Sequence, residues 1–285
     1  MNPIVEFLYF AAVAGVSMFC MNPVILILSA LGAVSFFAVR NCGKGKKHGA
    51  YIALALAVFA INPLFQHNGA TVLFVLNGNP VTLEALLYGA SAGIMLLATL
   101  YWFRNVSEIM TSDKILYIFG RVSAKLALIL SMAMRYIPLF SAQMKRTAEA
   151  QKALGLAGGE SVPDRVRGGA QVFSAMITWA LENGITTADS MEARGYGVGR
   201  RSSFAIFRFH KSDAAALGAI ALLFGLTLGG MLTNLLSFSY YPYIEMHEMT
   251  ALSWLCYIAY ALLSFLPTLK YTGEKIKWKY LQSKI

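Results

Sequence analysis

Six long apolar segments dominate this 285-residue chain and restrict what it can fold into. A helix that crosses a bilayer needs about 20 mostly apolar residues. Charged residues make up only 13% of the composition, about half the share found in soluble domains. The sequence therefore predicts an all-α, polytopic membrane protein with about six transmembrane helices. The predicted spans are 7–20 with its flanks, 24–39, 50–65, 83–103, 214–232 and 250–269.

The 24 lysine and arginine residues occupy only alternate connections between these spans. They lie in 40–47, 104–211 and 270–284, and none lies in 21–23, 66–82 or 233–249. With six spans, every basic residue falls on one side of the membrane. Because basic loops stay in the cytoplasm, the pattern predicts a multi-pass cell-membrane protein with both termini cytoplasmic. The net charge of +10 then indicates topology and attraction to anionic lipid headgroups, and it requires no nucleic-acid partner.

The connection 66–80 contains a β-branched, apolar run that ends at Asn77-Gly78. This pattern is typical of a small external hairpin, and an apolar loop lying on the outer face is an equally compatible interpretation. Glu84 follows at the start of the fourth span, and we interpret it as a helix-start charge.

The longest polar region, 104–212, is predicted to be cytoplasmic and helical. A short amphipathic helix is expected over 105–119, followed by a long helix that Pro138 bends or weakens. A second long helix begins near Val162-Pro-Asp164. We expect the two long helices to lie across the inner face of the membrane and to pack on each other through small residues. The second carries an apolar stripe of Val166, Ala170, Phe173, Ile177, Leu181, Gly184, Ala188 and Met191.

The two long helices end in matching sequences, 40 residues apart. The first closes with Ala148-Glu-Ala-Gln-Lys-Ala-Leu-Gly-Leu156 and the second with Ala188-Asp-Ser-Met-Glu-Ala-Arg-Gly-Tyr196. Gly155 and Gly195 are predicted to adopt the left-handed conformation after a helix end, with Leu156 and Tyr196 as hydrophobic clasps. One such end is an ordinary cap that Arg194 complements electrostatically. A repeated end favours docking into two related pockets, as a dimeric partner offers.

Three motifs carry a resemblance to a known family. Met134-Arg-Tyr-Ile-Pro138, Ala150-Gln-Lys-Ala-Leu-Gly155 and Met191-Glu-Ala-Arg-Gly-Tyr196 resemble, in order and spacing, the transmembrane T component of energy-coupling factor (ECF) transporters. These are ABC-type uptake systems for vitamins and metal ions. The resemblance covers about residues 100–205.

The resemblance implies a non-catalytic subunit with two long coupling helices that dock onto two ABC-type ATPase subunits. Those ATPases would bind ATP and Mg²⁺, and this chain would hold no cofactor or metal. The membrane helices and the coupling helices would cradle a small substrate-binding membrane subunit, the S component. The expected parts are N-terminal membrane helices 1–4 (1–103), a coupling-helix region (104–212), C-terminal membrane helices (213–270) and a basic cytoplasmic tail (271–285).

The resemblance also implies the docking residues. Ala193, Arg194 and Gly195, beside Glu192, would form one docking tip. The other would consist of Ala153, Leu154 and Gly155, beside Lys152. Leu154 stands where the family usually has arginine, which implies an ATPase contact that is apolar, weaker or supported by Lys152.

Arg135 and Pro138 interrupt the apolar part of the first coupling helix. A charge within an apolar helix is a functional candidate by default. We interpret Arg135 as pairing with an acid on the other coupling helix, with Glu182 as the partner; the alternative is a side chain that extends to the interface.

Two other classes of function are compatible with a polytopic chain. A membrane-embedded enzyme needs clustered carboxylates, histidines or a nucleophile with its base, whereas the acids, histidines and cysteines here are scattered. A stand-alone transporter needs ionisable residues or broken helices near the midplane, and the spans are almost uncharged.

Overall fold

The computed structural model describes residues 2–40, 48–66, 69–76, 79–155, 162–199, 207, 209–246 and 250–283. Within these residues the chain forms nine helices and two small antiparallel sheets. The chain divides into two compact units, unit 1 (Met1–Thr111 and Arg208–Ile285) and unit 2 (Ser112–Phe207). The elements are α1 (Pro3–Phe19), α2 (Pro23–Arg40), α3 (His48–Phe65), β1 (Val72–Leu76), β2 (Asn79–Thr82), α4 (Leu83–Ile109), α5 (Ser112–Val122), α6 (Ala124–Ala153), α7 (Val162–Ala193), α8 (Lys211–Leu232), β3 (Phe238–Ser239), β4 (Glu245–Met246) and α9 (Ala251–Gln282).

Six of the described helices are long and apolar enough to cross a membrane: α2, α3, α4, α6, α8 and α9. This confirms the predicted all-α, polytopic fold. The set differs from the predicted spans at one helix, because α1 has only 17 residues and α6 qualifies in its place. The apolar stretch of α6 is the least hydrophobic of the six, and none of its residues is buried within the chain. In contrast, α1 contributes Val5, Val13 and Val16 to the core of unit 1.

Helices α2, α4 and α9 run in the same direction. On α4, Trp102 donates a hydrogen bond to Ser29 of α2, and Asn105, further along α4, donates to Ala33, further along α2. In the same way Ser264 and Thr268 of α9 meet Leu28 and Ser35 of α2. The three helices are therefore parallel.

Helices α1, α3 and α8 run in the opposite direction. Tyr9 on α1 donates to Leu263 O at 2.9 Å, whereas Asn22, after the end of α1, donates to Tyr257 earlier on α9. The backbone N–H of Asn2 donates to Asp213 at 3.2 Å, which joins the starts of α1 and α8.

Helix α3 is antiparallel to α4. Gly93 of α4 lies against the Ala55 backbone, and Gly89, one turn earlier, lies against Phe59 and Asn62 further along α3. The directions of the six helices of unit 1 thus alternate along the chain, which is what successive membrane crossings require.

These directions give unit 1 two distinct ends. The end formed by the starts of α1, α3 and α8 and the last turns of α2, α4 and α9 is named the basic end. It carries Arg40, Arg104, Lys211 and the lysines from Lys270 onward in α9. Arg40 donates to the backbone oxygen of Glu108 at 2.9 Å, which ties α2 to the last turn of α4. The opposite end is named the hairpin end.

The hairpin end contains a strand pair, one of the two alternatives that the sequence left open for 66–80. Strands β1 and β2 are antiparallel, with Phe74 opposite Val81 and Val75 opposite Pro80. The hairpin interpretation is thus confirmed over the loop alternative, while its predicted turn, Asn77-Gly78, lies outside the described residues.

Glu84 anchors this hairpin to the start of α4. Its side chain is buried and accepts hydrogen bonds from the Thr71 hydroxyl at 2.7 Å and the Thr71 N–H at 3.2 Å. The predicted position at a helix start is confirmed, since Glu84 lies in the first turn of α4. The carboxylate also has a tertiary partner that the sequence did not indicate.

The predicted amphipathic helix over 105–119 is wrong in its boundary. Helix α4 continues to Ile109, and a new helix, α5, begins at Ser112. The reason is tertiary: Asn105 is fully buried and donates to Ala33 O at 3.1 Å, which holds this part of the chain in the α4 packing.

Two helical glycines test the packing of unit 1. A Cβ on Gly93 would lie 2.8 Å from the Ala55 backbone oxygen on α3, whereas a Cβ on Gly225 in α8 would have no neighbour within 4 Å. We expect Gly93→Ala to destabilise the chain by about 1–3 kcal/mol because α3 must move away. Gly225→Ala should stabilise it by up to about 1 kcal/mol through helix propensity. Thermal unfolding in mild detergent measures both, and equal shifts of the same sign would contradict the close α3–α4 contact.

Candidate functional site

The end of α7 forms a complete left-handed cap. After the last helical residue, Ala193, the N–H of Gly195 donates to Glu192 O at 2.8 Å and the N–H of Tyr196 donates to Met191 O at 3.0 Å. Gly195 has φ +81°. These two bonds and the left-handed glycine define a Schellman motif. The chain therefore reverses sharply at Gly195 and leaves Arg194 exposed at the turn.

The end of α6 repeats this geometry. Gly155 has φ +74°, and its N–H donates to Lys152 O at 3.1 Å. The predicted left-handed conformation is confirmed at both glycines. The predicted clasp at Leu156 lies outside the described residues. We name Ala153, Leu154 and Gly155 the α6 tip, and Ala193, Arg194 and Gly195 the α7 tip.

The two tips share a backbone shape and differ in surface chemistry. The α6 tip presents Leu154, which is 73% exposed, with Lys152 exposed beside it. The α7 tip presents the Arg194 guanidinium with Glu192 exposed beside it. Arginine offers five N–H donors in a planar group, which suits carboxylates or several backbone carbonyls at once. One tip thus suits an apolar pocket and the other a polar one.

Helices α6 and α7 pack antiparallel along a mixed polar and aromatic seam. Tyr136 Oη lies 2.8 Å from Thr187 Oγ1, and the rings of Phe140 and Trp179 meet edge to face at 5.2 Å. Further along, the Thr147 hydroxyl lies 4.0 Å from the sulfur of Met176. Residue numbers in these contacts increase along α6 and decrease along α7, which shows that the two helices are antiparallel.

The antiparallel seam places the two tips at opposite ends of the helix pair. Its register sets Leu154 beside about residue 169 of α7, roughly 25 residues before Arg194. At about 1.5 Å per residue, the tips are separated by roughly 35–40 Å. A partner that holds both must therefore offer two separate pockets.

The apolar stripe predicted on α7 does not form this seam. Val166, Phe173, Ile177 and Leu181 are all exposed, and only Met191 of the stripe is half-buried. The missed signal is a second series on α7 at three- and four-residue spacing: Gly168, Val172, Met176, Trp179, Asn183, Thr187 and Met191.

The expectation that the two helices pack through small residues is met only in part. Gly168 is one of the two buried residues of α7, but the Phe140 and Trp179 rings lie at the centre of the contact. Small residues alone therefore do not identify the contact face.

The predicted pairing of Arg135 with Glu182 is not formed. Both side chains are exposed, and no ion pair joins them. Each of the two residues lies one position from the seam, and one position on a helix is a rotation of about 100°. Pro138 lies within α6, which continues through it to Ala153.

Unit 1 buries few charged side chains that could act in catalysis or ion binding. Its buried charged residues, among those the structure describes, are Glu84 and Asp213, and both lie at helix starts. Asp213 accepts from the N–H groups of Asn2 and His210, both at 3.2 Å. The described residues contain no group of three or more His, Cys, Asp or Glu side chains able to hold a metal ion. The two carboxylates therefore have structural partners.

A bundle of alternating apolar helices, with a separate helical unit that carries two exposed, capped helix ends, defines a multi-pass membrane protein. Comparison with known proteins identifies the family. Residues 2–204 match the CbiQ family, described as cobalt transport protein, and the chain belongs to this family. The match includes both tips and confirms the family to which the sequence motifs pointed.

Curated relatives carry a more specific name. The energy-coupling factor transporter transmembrane protein EcfT of Lacticaseibacillus paracasei is 31% identical over 106 residues, 36% of this chain and 40% of that protein. EcfT 1 of Listeria monocytogenes is 26% identical over 196 residues, 63% of this chain and 71% of the relative. EcfT of Listeria innocua is 30% identical over 177 residues, 57% and 66% of the two chains. The chain thus spans less than two thirds of the length of two of these three relatives.

The cap geometry at Gly195 can be tested directly. Gly195→Ala forces a side chain into the left-handed region and should destabilise the cap by about 1 kcal/mol. Gly184→Ala is the matched control, because Gly184 lies within α7 and an added Cβ there would meet no heavy atom within 4 Å. Hydrogen exchange of residues 190–198 should accelerate about fivefold in the first variant and not in the second. Unchanged exchange in both would contradict the cap.

Proposed function

We propose that this chain is the coupling subunit of an ECF-type ABC importer, which transmits ATP-driven motion from two ATPase subunits to a substrate-binding membrane subunit. The observation that carries the proposal is the pair of capped helix ends, alike in backbone and separated by roughly 35–40 Å. The names of the EcfT relatives support the transporter class.

In this proposal the basic end of unit 1 faces the cytoplasm and both termini lie there, in a cell membrane. The support is the clustering of lysine and arginine at one end of a bundle whose helices alternate in direction. Lysines in the last third of α9 lie exposed at this end, where anionic lipid headgroups attract them.

Each tip docks into a groove on one ATPase subunit. A short helix end that seats in a groove is a common recognition mode. Arg194 makes the polar contact at the α7 tip, and Leu154 makes an apolar contact at the α6 tip. ATP and Mg²⁺ bind to the ATPases, so this chain needs no catalytic residue, cofactor or metal of its own.

The exposed apolar stripe of α7 is the surface offered to the S component. A contiguous apolar face on a folded unit marks an interaction site, and Val166, Phe173, Ile177 and Leu181 remain exposed after α6 has packed. The S component selects the vitamin or metal ion. The cobalt transport description of the family fits metal-ion uptake as one member of this substrate class.

Motion passes along α6 and α7 because the seam joins them firmly. ATP binding closes the ATPases and displaces the docked tips, and the paired helices transmit that displacement to the S component. Coupling of this kind requires two sites and an element with two states that both sites bias. The ring contact of Phe140 with Trp179 and the Tyr136–Thr187 hydrogen bond connect the helices at the centre of the pair.

A stand-alone transporter is the rival function. Such a chain needs ionisable groups near the midplane, whereas the two buried carboxylates described in unit 1 lie at helix starts. Transport by the purified chain alone in vesicles would support the rival and contradict the proposal.

Charge reversal at the α7 tip tests docking. Arg194→Glu should weaken capture of the ATPase subunits by at least about thirtyfold, because it removes a cation and adds an anion in the same groove. Arg121→Glu is the matched control, an exposed arginine in the last turn of α5, and should change capture less than about twofold. Capture is measured by titrating purified ATPases against the chain in detergent. Equal affinities for wild type and Arg194→Glu would exclude docking at this tip.

The chemistry of the α6 tip is tested at Leu154 and Lys152. Leu154→Asp should weaken ATPase capture about tenfold because it places a carboxylate in an apolar pocket. Lys152→Ala should leave capture unchanged. If Lys152→Ala weakens capture and Leu154→Asp does not, the contact is made by the lysine; if neither variant has an effect, only one tip carries the docking.

A further inference from the structure

Strand β1 of the hairpin exposes apolar side chains on both of its faces, whereas Val81 and Thr82 of β2 are buried. Val72, Leu73, Phe74 and Val75 are consecutive, and each is between 49 and 62% exposed. Successive side chains of a regular strand point to opposite faces. Phe74 and Val75 follow the irregularity in the pairing and are both exposed, so neither face of this part of β1 is covered by unit 1.

This pattern differs from that of a hairpin in water. A strand with one solvated face alternates apolar and polar residues, and an isolated two-stranded hairpin is at best marginally stable in water. Here the run from Val72 to Leu76 is continuously apolar, and residues 66–83 contain no Lys, Arg, Asp or Glu. The sequence provides β1 with no side chain suited to water.

The hairpin is held close to the level where the membrane helices begin. Strand β2 runs directly into α4, whose N-cap Thr82 accepts a hydrogen bond from the Ala85 N–H. The N–H of Leu83 donates to Thr71 O at 3.0 Å, and Glu84 binds Thr71 as well. The first strand therefore cannot move far from the first turn of α4.

An apolar surface continues from the hairpin onto α3. Leu64 and Phe65, the last residues of α3, are exposed, as are Ile52, Leu56 and Ile61 earlier along this helix. Only Ala55 and Pro63 of α3 are buried. Since α3 is long and apolar enough to cross the membrane, its uncovered surface is suited to lipid, and β2 of the hairpin contacts this helix.

We propose that the hairpin is a membrane-interface anchor: both faces of β1 contact lipid at the boundary between headgroups and acyl chains, at the hairpin end of unit 1. Its depth follows from its backbone. The strands satisfy each other's inner N–H and C=O groups, whereas their outer edges need water or headgroup partners, which the hydrocarbon core does not provide. The interface supplies both apolar contact and hydrogen-bond partners.

Spin-label accessibility in lipid nanodiscs tests this anchor. Single cysteines replace Val72, Leu73, Phe74 and Val75 in full-length chains that also carry Cys42→Ser, since the other native cysteines, Cys20 and Cys256, are buried. Nitroxide labels at all four positions should collide with oxygen, which concentrates in lipid, at least about threefold more than with a water-soluble nickel chelate. Glu245→Cys is the control, an exposed charged position at the same end, and its label should favour the nickel chelate.

Three outcomes would overturn the anchor. Preference for nickel at all four positions would place the hairpin in water, and preference for nickel at only one of positions 74 and 75 would place one face of β1 in water. Loss of oxygen contact when the ATPases and the S component are added would assign the surface to a protein partner. The strand pairing is irregular between Val72 and Phe74, so the consecutive positions 74 and 75 report the two faces, and positions 72 and 73 give two further readings. The accessibilities measured in the chain alone do not depend on docking of the tips.

Discussion

A bilayer offers a peptide backbone no hydrogen-bond partners, and the rest of this structure depends on that constraint. Every long apolar segment must close its own hydrogen bonds, so it becomes a helix. Three buried side-chain donors within unit 1 follow the same rule: Trp102 donates to Ser29, Asn105 to the Ala33 carbonyl and Tyr9 to the Leu263 carbonyl. These bonds also fix which helices are neighbours and in which direction they run. The hairpin meets the same constraint by pairing its two strands with each other, and under the proposed anchoring its outer edges lie at the membrane interface.

Unit 2 is organised by a different physical contact. Its seam combines an aromatic pair with a hydroxyl pair and leaves aliphatic side chains outside. A helix in water would bury those aliphatic residues first. Under the proposed function they contact a membrane partner while the seam keeps α6 and α7 together. One face of α7 then holds the helix pair together, and a different face of the same helix contacts the partner.

The local parts of the candidate site were predictable from sequence. Glycine after Ala-Leu or Ala-Arg at a helix end indicates a left-handed residue, and Gly155 and Gly195 both adopt it. The same reasoning failed for contacts between helices. The predicted pairing of Arg135 with Glu182 rests on charge alone. In the register of the seam, Arg135 lies level with about residue 188, roughly 9 Å along the helix axis from Glu182. The predicted apolar stripe of α7 lies outside the contact, whereas Trp179 on the adjacent face forms it.

The sequence by itself determined the helical, polytopic class, the clustering of basic residues in alternate connections and the two helix ends. Each of these depends on hydropathy, charge or backbone conformation within a few neighbouring residues. Only the tertiary structure decided that 66–80 contains a paired hairpin held by Glu84, that α4 extends to Ile109, and that the tips lie at opposite ends of an antiparallel pair. These features depend on which faces of distant segments meet. Several faces of each apolar helix are nearly equal in hydropathy, so hydropathy alone does not identify the face that packs. Side-chain shape and buried hydrogen bonds determine which face contacts a neighbouring helix.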